Sequence, residues 1–427
     1  MHEDTIFAVA SGAGRAAIAV MRLSGPASAT VLRALAGRLP PPRRASLRRL
    51  RDAAGEELDH ALVLWLPAPA SYTGEDSAEL HLHGGRAVTH GVADALVALG
   101  ARPAEPGEFT RRAFLNGRMD LIEAEAIGDL VEAETSAQRV QALRQLDGAL
   151  GGIFRGWAER LRVLLAQQEA LIDFPDEDLP PETEAVALAE LAALTHEIGA
   201  HLDDGRRGER LREGLVFAVT GPPNVGKSSL VNALAERDVA IVAETPGTTR
   251  DALETRVVLG GVPVTLVDTA GLRETQDAIE AEGVRRARAR AAAADLVLVV
   301  RETGASSPPP SPTLTIVNKI DLGGAVPSDA LAISVRTGAG MDHLRAHLAA
   351  AARALTDTAG PPPLTRARHR AALQETAACL ARAADAGLPE LRAEDLRLAL
   401  RTLGRITGQV GVEDLLDTIF RHFCIGK

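Results

Sequence analysis

The chain is nearly without lysine. Of its 47 basic residues only Lys227, Lys319 and Lys427 are lysines, and all the others are arginines. Codon preference accounts for the excess of arginine, but it also marks the three places where lysine is kept. Arginine cannot stand in where a compact point charge on a thin stem is required. Tyrosine is scarcer still, with Tyr72 alone, and asparagine occurs only at Asn116, Asn224, Asn232 and Asn318. Two cysteines, Cys379 and Cys424, are too few for a disulfide framework or a Cys-rich metal site. No stretch approaches the roughly 20 apolar residues of a membrane span. The opening Met1-His2-Glu3-Asp4 lacks the basic and apolar regions of a signal peptide, so a cytoplasmic protein without membrane contact is expected. A net charge of −10 argues against indiscriminate binding to nucleic-acid phosphates.

What is present is an ordinary globular composition, 46% apolar and 24% charged, enough for real cores. At roughly 100–200 residues per domain, 427 residues imply two to four domains. Up to residue 117, short β-like runs (Thr5–Val9, Ala17–Leu23, Ala61–Leu66, Ala78–His83) are bounded by turn residues, which predicts an α+β domain. Seven arginines between Arg33 and Arg51 are expected to form a solvated helix face and loop rather than an RNA patch, given the acidic whole. From Leu121, three-to-four spacing without proline predicts helices up to Pro175. A further helix is expected from about Glu184 to Leu211. Leu215–Val219 then opens alternating strands and helices to about residue 355, the pattern of a parallel α/β sheet. Pro361-Pro-Pro363 reads as a linker, and helices resume from Arg366 to Phe423. The economical division is 1–117 as an N-terminal domain, 118–212 and 358–427 as two parts of one all-α domain, and 213–357 as an α/β domain inserted in it.

Gly221-Pro-Pro-Asn-Val-Gly-Lys-Ser228 fits G-x-x-x-x-G-K-[ST] after a strand and before a helix pattern (Ser229–Ala235), the context of a phosphate-binding loop. Its N–H groups, from Asn224 through Val225 and Gly226 to Ser229, face the phosphates. Lys227 reaches the β and γ phosphates and Ser228 ligates Mg²⁺. Three further pieces follow in the order a GTPase needs. Gly247-Thr-Thr-Arg-Asp251 supplies Thr248 and the second Mg²⁺ ligand, Thr249. Strand Val264–Val267 runs into Asp268-Thr269-Ala270-Gly271, where Asp268 holds the magnesium shell and the Gly271 N–H meets the γ phosphate. Strand Leu314–Val317 ends in Asn318-Lys319-Ile-Asp321. Asp321 accepts from N1–H and the 2-amino group of guanine, a pair adenine does not offer, and leaving a buried carboxylate unpaired is strongly discriminating. Ser334-Val335-Arg336 follows the next strand, where a backbone N–H meets guanine O6. GTP is the expected substrate.

Two absences bear on hydrolysis. The position after Asp-x-x-Gly, often a water-orienting Gln, is Leu272, and no arginine finger is identifiable. Asn224 suggests a monovalent cation, K⁺, seated where a finger would reach. Among Glu274, Asp277, Glu280 and Glu282 the chemistry alone does not choose a water-orienting acid. Four prolines in 301–312 forbid a regular crossover helix and predict an abbreviated loop.

Outside the nucleotide motifs, Tyr72-Thr-Gly-Glu-Asp, His83-Gly-Gly85, Gly107-Glu-Phe-Thr-Arg-Arg-Ala-Phe-Leu-Asn116 and Phe423-Cys-Ile-Gly-Lys427 together resemble the MnmE (TrmE) family of tRNA-modifying GTPases over essentially the full length. The resemblance implies an N-terminal domain that binds tetrahydrofolate and forms a homodimer, a helical domain, and an inserted G domain. It further implies that the chain works with an MnmG-type flavoprotein carrying FAD, in a heterotetramer. Together they add an aminomethyl or carboxymethylaminomethyl group to C5 of the wobble uridine of certain tRNAs. The one-carbon unit is implied to come from 5,10-methylenetetrahydrofolate (or, in the site, its 5-formyl analogue). Residue by residue, the resemblance gives Asn224, Ala243, Thr245 and Thr248 as K⁺ ligands and Glu280 as the catalytic glutamate. Arg22, Glu79, Arg118 and Lys427 match the folate-contacting positions, Arg118 standing where a lysine is commoner. Cys424 is a candidate nucleophile, but the sequence places no base beside it, and a structural or substrate-proximal role weighs at least as much. The rival readings are a non-modifying ribosome-assembly switch, for which an appended basic RNA-binding domain is missing, and a stand-alone folate enzyme with GTP as regulator.

Overall fold

The computed structural model describes residues 4–12, 14–173, 182–238, 254–269, 289, 291–303, 313–357, 360–411 and 413–426. The chain divides into two compact units, Met1–Gly128 with Gly404–Lys427, and Asp129–Leu403. These units group the expected segments differently: residues 118–128 and the last stretch of the chain join the N-terminal sheet, and the other helical residues join the α/β section.

The first unit is built on β1 (Ile6–Val9), β2 (Ile18–Ser24), β3 (Ser46–Arg51), β4 (Glu57–Leu66), β5 (Ser77–His83) and β6 (Arg102–Pro103), in the spatial order β3-β4-β5-β2-β1-β6. Only the β1–β6 pair is parallel. Helices α1 (Ser28–Ala36) and α2 (Arg86–Ala98) bring Val31, Leu32, Leu35, Val92 and Leu96 against Leu23, Val63, Leu80 and Leu82 of the sheet. Such residues contribute about 1.5–3 kcal/mol each on burial. Helix α3 (Glu108–Leu115) follows β6 and packs Phe109 against Ile6, Ala8 and Tyr72.

The arginine-rich stretch departs from expectation. Its second half is a strand, β3, at the edge of the sheet, with Leu50 buried and Leu47, Arg49 and Arg51 exposed. One buried leucine among three arginines, a serine and an exposed leucine gives almost no alternating signal, so the strand is hidden by its charges. Charged residues on an edge are also what keeps an open strand from pairing with another chain.

Helices α4 (Leu121–Glu132), α5 (Ser136–Leu146), α6 (Ala149–Asp173), α7 (Glu182–Leu202) and α8 (Arg207–Glu213) cover the predicted helical region. The first break is a capping box: Thr135 accepts from the N–H of Gln138, whose side chain accepts from the Thr135 N–H. The helix expected across 184–211 is two helices. The chain turns at Asp203-Asp204-Gly205-Arg206, with Gly205 and Arg206 both at positive φ. The turn is held because the buried Asp204 carboxylate accepts from the N–H groups of Arg206 (2.9 Å) and Leu364 (3.2 Å) and from Arg370 (2.6 Å).

The α/β section contains β7 (Leu215–Thr220), α9 (Lys227–Asp238), β8 (Glu254–Leu259), β9 (Val262–Asp268), β10 (Leu296–Arg301), β11 (Thr313–Val317), β12 (Leu331–Ala332) and α10 (Met341–Leu355). The strand order is β12-β11-β10-β7-β9-β8, parallel except for β8. Phe217, Leu230, Leu266, Leu298, Ile316, Leu344 and Leu348 are buried in its core. The loop expected over 301–312 lies largely outside the described residues. Helices α11 (Ala367–Asp385), α12 (Pro389–Thr407) and α13 (Glu413–Phe420) complete the chain. Asp129 accepts from Arg212 (2.8 Å) and Arg366 (2.7 Å), and Arg370 also meets Glu209 at 2.9 Å, so the second helical flank is tied to the first by buried carboxylates. Among the described residues no helix is long and apolar enough to cross a membrane.

Candidate functional site

Parallel strands end at the same edge of their sheet, so loops that leave those ends converge there. The loops after β7, β9, β10 and β11 carry the P-loop, Asp268, Glu302 and Asn318, which is why motifs up to about a hundred residues apart come together. The P-loop needs its glycines at two points. A Cβ on Gly221 (φ +143) would lie 2.1 Å from the Val300 carbonyl, and one on Gly226 (φ +94) would lie 2.4 Å from Asn318 Nδ2. Bare backbone at 226 lets the Asn318 amide donate to the Val225 carbonyl at 2.8 Å, while Asn318 Oδ1 accepts from the Val335 N–H at 3.2 Å. One buried asparagine thus ties the P-loop to the loop after β12.

Helix α9 begins at Lys227, two residues before the pattern suggests. Lys227 is buried and its Nζ donates to the carbonyls of Gly221 (2.8 Å) and Pro222 (2.6 Å), lying across the mouth of the loop. The Ser228 hydroxyl donates to Asp268 Oδ2 at 2.5 Å. Ser229 is exposed on the next position, Val225 is buried, and Thr269 Oγ1 donates to the Val219 carbonyl at 2.9 Å. Asn224 stands exposed at positive φ (62°).

At the base-reading end, Asp321 Oδ1 accepts from the Ser334 hydroxyl at 2.6 Å and Oδ2 from the Arg336 guanidinium at 2.5 Å. Chiefly the Ser334 hydroxyl, with the Arg336 guanidinium outweighing partial desolvation, holds the Asp321 carboxyl below the usual carboxylate range. It is therefore an ionised double acceptor near neutrality. Lys319, in a left-handed conformation at φ 66°, donates to Glu302 Oε1 at 2.5 Å. Glu302 is a site residue the motifs do not reveal: it comes from the end of a neighbouring strand, and only strand order brings it to Lys319.

Ala243, Thr245, Thr248, Thr249, Ala270, Gly271, Glu280 and Lys427 lie outside the described residues. The Ser228 and Asp268 oxygens, side by side, suit a hard cation such as Mg²⁺. The amide oxygen of Asn224 is likewise a neutral hard donor of the type K⁺ accepts.

The first unit holds a second constellation. Arg22 on β2 faces Glu79 on β5 across the antiparallel ladder, and the side chains meet at 2.9 Å. The Arg22 guanidinium also lies 5.1 Å from the centre of the Tyr72 ring and 5.8 Å from that of Phe109, a cation–π arrangement. Tyr72 is fixed by its hydroxyl, 2.8 Å from Thr110 Oγ1, and burial raises its pKa above the usual value. Asn116 donates to the Thr73 carbonyl at 2.8 Å, and the Arg118 stem lies against Gly74, where an added Cβ would come within 3.2 Å of it. The end of the chain returns here: a Cβ on Gly426 would lie 2.5 Å from the Val9 carbonyl. Val9 follows Ala8, which pairs with Arg22. Cys424 is exposed and unpaired as a disulfide, just beyond Phe423, whose ring lies against Gly128.

Comparison with known families matches residues 5–118 to "GTP-binding protein TrmE N-terminus" and residues 121–424 to "MnmE helical domain". The chain belongs to the MnmE (TrmE) family. A protein of Gluconacetobacter diazotrophicus named tRNA modification GTPase MnmE is 66% identical over 430 residues, covering 99% of this chain and 98% of that one. A protein of the same name from Granulibacter bethesdensis is 57% identical over 440 residues, covering all of both chains. One from Rhodospirillum rubrum is 57% identical over 455 residues, again over the whole of both. MnmE membership thus spans the N-terminal sheet, the helices and the nucleotide motifs alike.

Proposed function

We propose that the chain hydrolyses GTP in the modification of tRNA. Acting with an MnmG-type flavoprotein that carries FAD, it serves the addition of an aminomethyl or carboxymethylaminomethyl group to C5 of the wobble uridine of certain tRNAs. The observation that carries the GTPase reading is the line Val225–Asn318–Val335 with Asp321 beside it: phosphate loop and guanine reader are braced by one buried side chain.

In that reading Lys227 leaves the Gly221 and Pro222 carbonyls for the β and γ phosphates, and the P-loop N–H groups surround the β phosphate. Ser228 and Thr249 hold Mg²⁺, with Asp268 in its outer shell. Asn224, with Ala243, Thr245 and Thr248, holds K⁺. These cations, when bound, supply positive charge where it develops between the β and γ phosphates. Glu280 orients the water that attacks the γ phosphorus; the bridging oxygen leaves with GDP and the water's proton passes to the phosphate product. Thr269, Ala270 and Gly271 line the γ-phosphate side, and Ser334, Val335 and Arg336 border the base.

The Arg22–Glu79 pair, Arg118 and Lys427 form the folate site in this reading, taking 5,10-methylenetetrahydrofolate or its 5-formyl analogue. A carboxylate suits the paired N–H donors of a pterin, and an arginine beside an aromatic ring suits its flat face. Cys424 sits in the same C-terminal motif, close to the substrate. The domain division 1–117, 118–212 with 358–427, and 213–357, the homodimer formed through the N-terminal domain, the heterotetramer with the flavoprotein and the cytoplasmic setting belong to the same proposal.

Deleting the gene and analysing wobble uridines of total tRNA by mass spectrometry tests it. Loss of the C5 groups is expected; unaltered modification would sink the reading.

A further inference from the structure

The overall acidity of the chain conceals one concentrated positive region. Between α1 and β3 the chain runs Gly37-Arg38-Leu39-Pro40-Pro41-Pro42-Arg43-Arg44-Ala45-Ser46 and folds into a groove of about 520 Å³. Arg38, Arg44 and Arg48 line it together with Ser46 and prolines, and no acidic residue does. No carboxylate among the described residues neutralises these charges. Arg49 and Arg51, on the opposite face of β3, stand near Glu57, but among the described residues none of Arg38, Arg44 and Arg48 has a carboxylate partner; Arg48 donates to the Leu47 carbonyl at 2.9 Å, and its buried Nε has no hydrogen-bond partner.

The groove is also held in place before anything enters it. Three consecutive prolines fix φ along the loop. Arg43 is in the left-handed region (φ 57°), a strained conformation for an L-residue. Its N–H donates to the Trp65 carbonyl on β4 at 2.8 Å, anchoring the loop to the sheet. Leu39 seats the loop on the core of the sheet, whereas the exposed Arg43 adds nothing to that core, and strain retained at it points to a use for the loop.

We propose that this groove docks the phosphate backbone of tRNA, outside both the nucleotide and the folate sites. The inference rests on the tRNA-modification reading above and adds a surface to it. Guanidinium forks grip phosphate oxygens bidentately. Three of them lining one groove offer several such grips to the phosphates of a nucleic-acid strand. A protein partner would want an apolar or aromatic centre, and here only Leu39 and prolines are offered.

The test uses the full-length protein, a transcribed tRNA with uridine at the wobble position, and binding measured by fluorescence anisotropy across a salt series. The triple substitution Arg38→Gln, Arg44→Gln, Arg48→Gln is expected to weaken binding about 10²-fold near 0.1 M salt. It is expected to flatten the slope of log K against log [salt] by about 2–3, since each phosphate contact contributes roughly 0.7–0.9. Arg→Lys at the same three positions should keep most of the slope, and GTP hydrolysis and the thermal midpoint should not move in either variant. Unchanged tRNA affinity and slope in the Gln variant would overturn the inference and leave the tRNA-modification reading standing. So would loss of binding to phosphatidylglycerol vesicles or an acidic peptide with tRNA binding intact. No binding of tRNA by the unsubstituted protein at low salt would overturn the inference and count against that reading itself.

Discussion

Arg22 and Glu79 stand 57 positions apart in the chain and directly opposite each other on β2 and β5, their charged groups 2.9 Å apart. Each is about one-fifth exposed, so the pair is reachable from solvent and modest as a source of stability, about 0.2–1 kcal/mol for a cross-strand pair. Its position beside Tyr72 is better explained by binding. Glu79→Gln is expected to weaken tetrahydrofolate binding at least about 10-fold, the scale of losing a charge-assisted hydrogen bond, and to leave the melting temperature nearly unchanged. Equal affinity by calorimetry would remove Glu79 from the folate site.

Arg112 has a different character. It is fully buried and meets Asp4 (2.8 Å), Glu75 (3.3 Å) and Glu108 (2.9 Å). Removing one partner of a buried ionic cluster leaves charge uncompensated, so Arg112→Met should destabilise the protein by about 3–5 kcal/mol. Burial alone would raise the pKa of Glu108. Bonds from Arg102, the Glu105 N–H and Arg112 outweigh it and hold the carboxyl below its usual value of 4.5. Because the folded value is the lower one, the stabilisation is complete above pH 4.5 and is lost as pH falls through the folded value. Chemical denaturation at a series of pH values should show this acid loss in the wild type and less of it in Arg112→Met. A variant with wild-type stability and pH dependence would show the cluster to be inert.

Glu280→Ala tests the water-orienting assignment. GTP binding should be spared and turnover slowed by roughly 10²-fold or more, the scale of losing a positioned base. Single-turnover hydrolysis with the nucleotide already bound separates the two effects, and a variant as fast as the wild type would exclude Glu280.

With Leu272 where a glutamine often stands and no identifiable arginine finger, the K⁺ proposed at Asn224 would carry much of the electrostatic catalysis. Hydrolysis should be markedly faster in K⁺ than in Na⁺ at equal ionic strength, and Asn224→Ala should abolish the difference. Equal rates in the two salts would take the cation out of the mechanism.

The local features of this protein were legible in its residues. The P-loop, Asp-x-x-Gly and Asn-Lys-x-Asp are set by short-range geometry, and the strands β1, β2, β4 and β5 carry enough apolar residues to be seen. Features that need a partner were not. β3 is an edge strand with one buried leucine, and its arginines disguised it. Glu302 reaches Lys319 only because β10 and β11 are neighbours. The turn at Asp204 interrupts a helical pattern whose apolar spacing continues on both sides, although Asp-Gly was there to signal it. The pairing of Arg22 with Glu79 depends on register, which no short motif encodes.

The account as a whole depends on Asp321 reading guanine while Ser334 and Arg336 keep it ionised and aimed. The most direct measurement compares the affinities of wild type and Asp321→Asn for GTP and for xanthosine triphosphate. The wild type should prefer GTP, and the Asn variant should lose GTP affinity and gain xanthosine triphosphate, because an amide donates where the carboxylate accepted. A variant that still prefers GTP as strongly as the wild type would contradict the account.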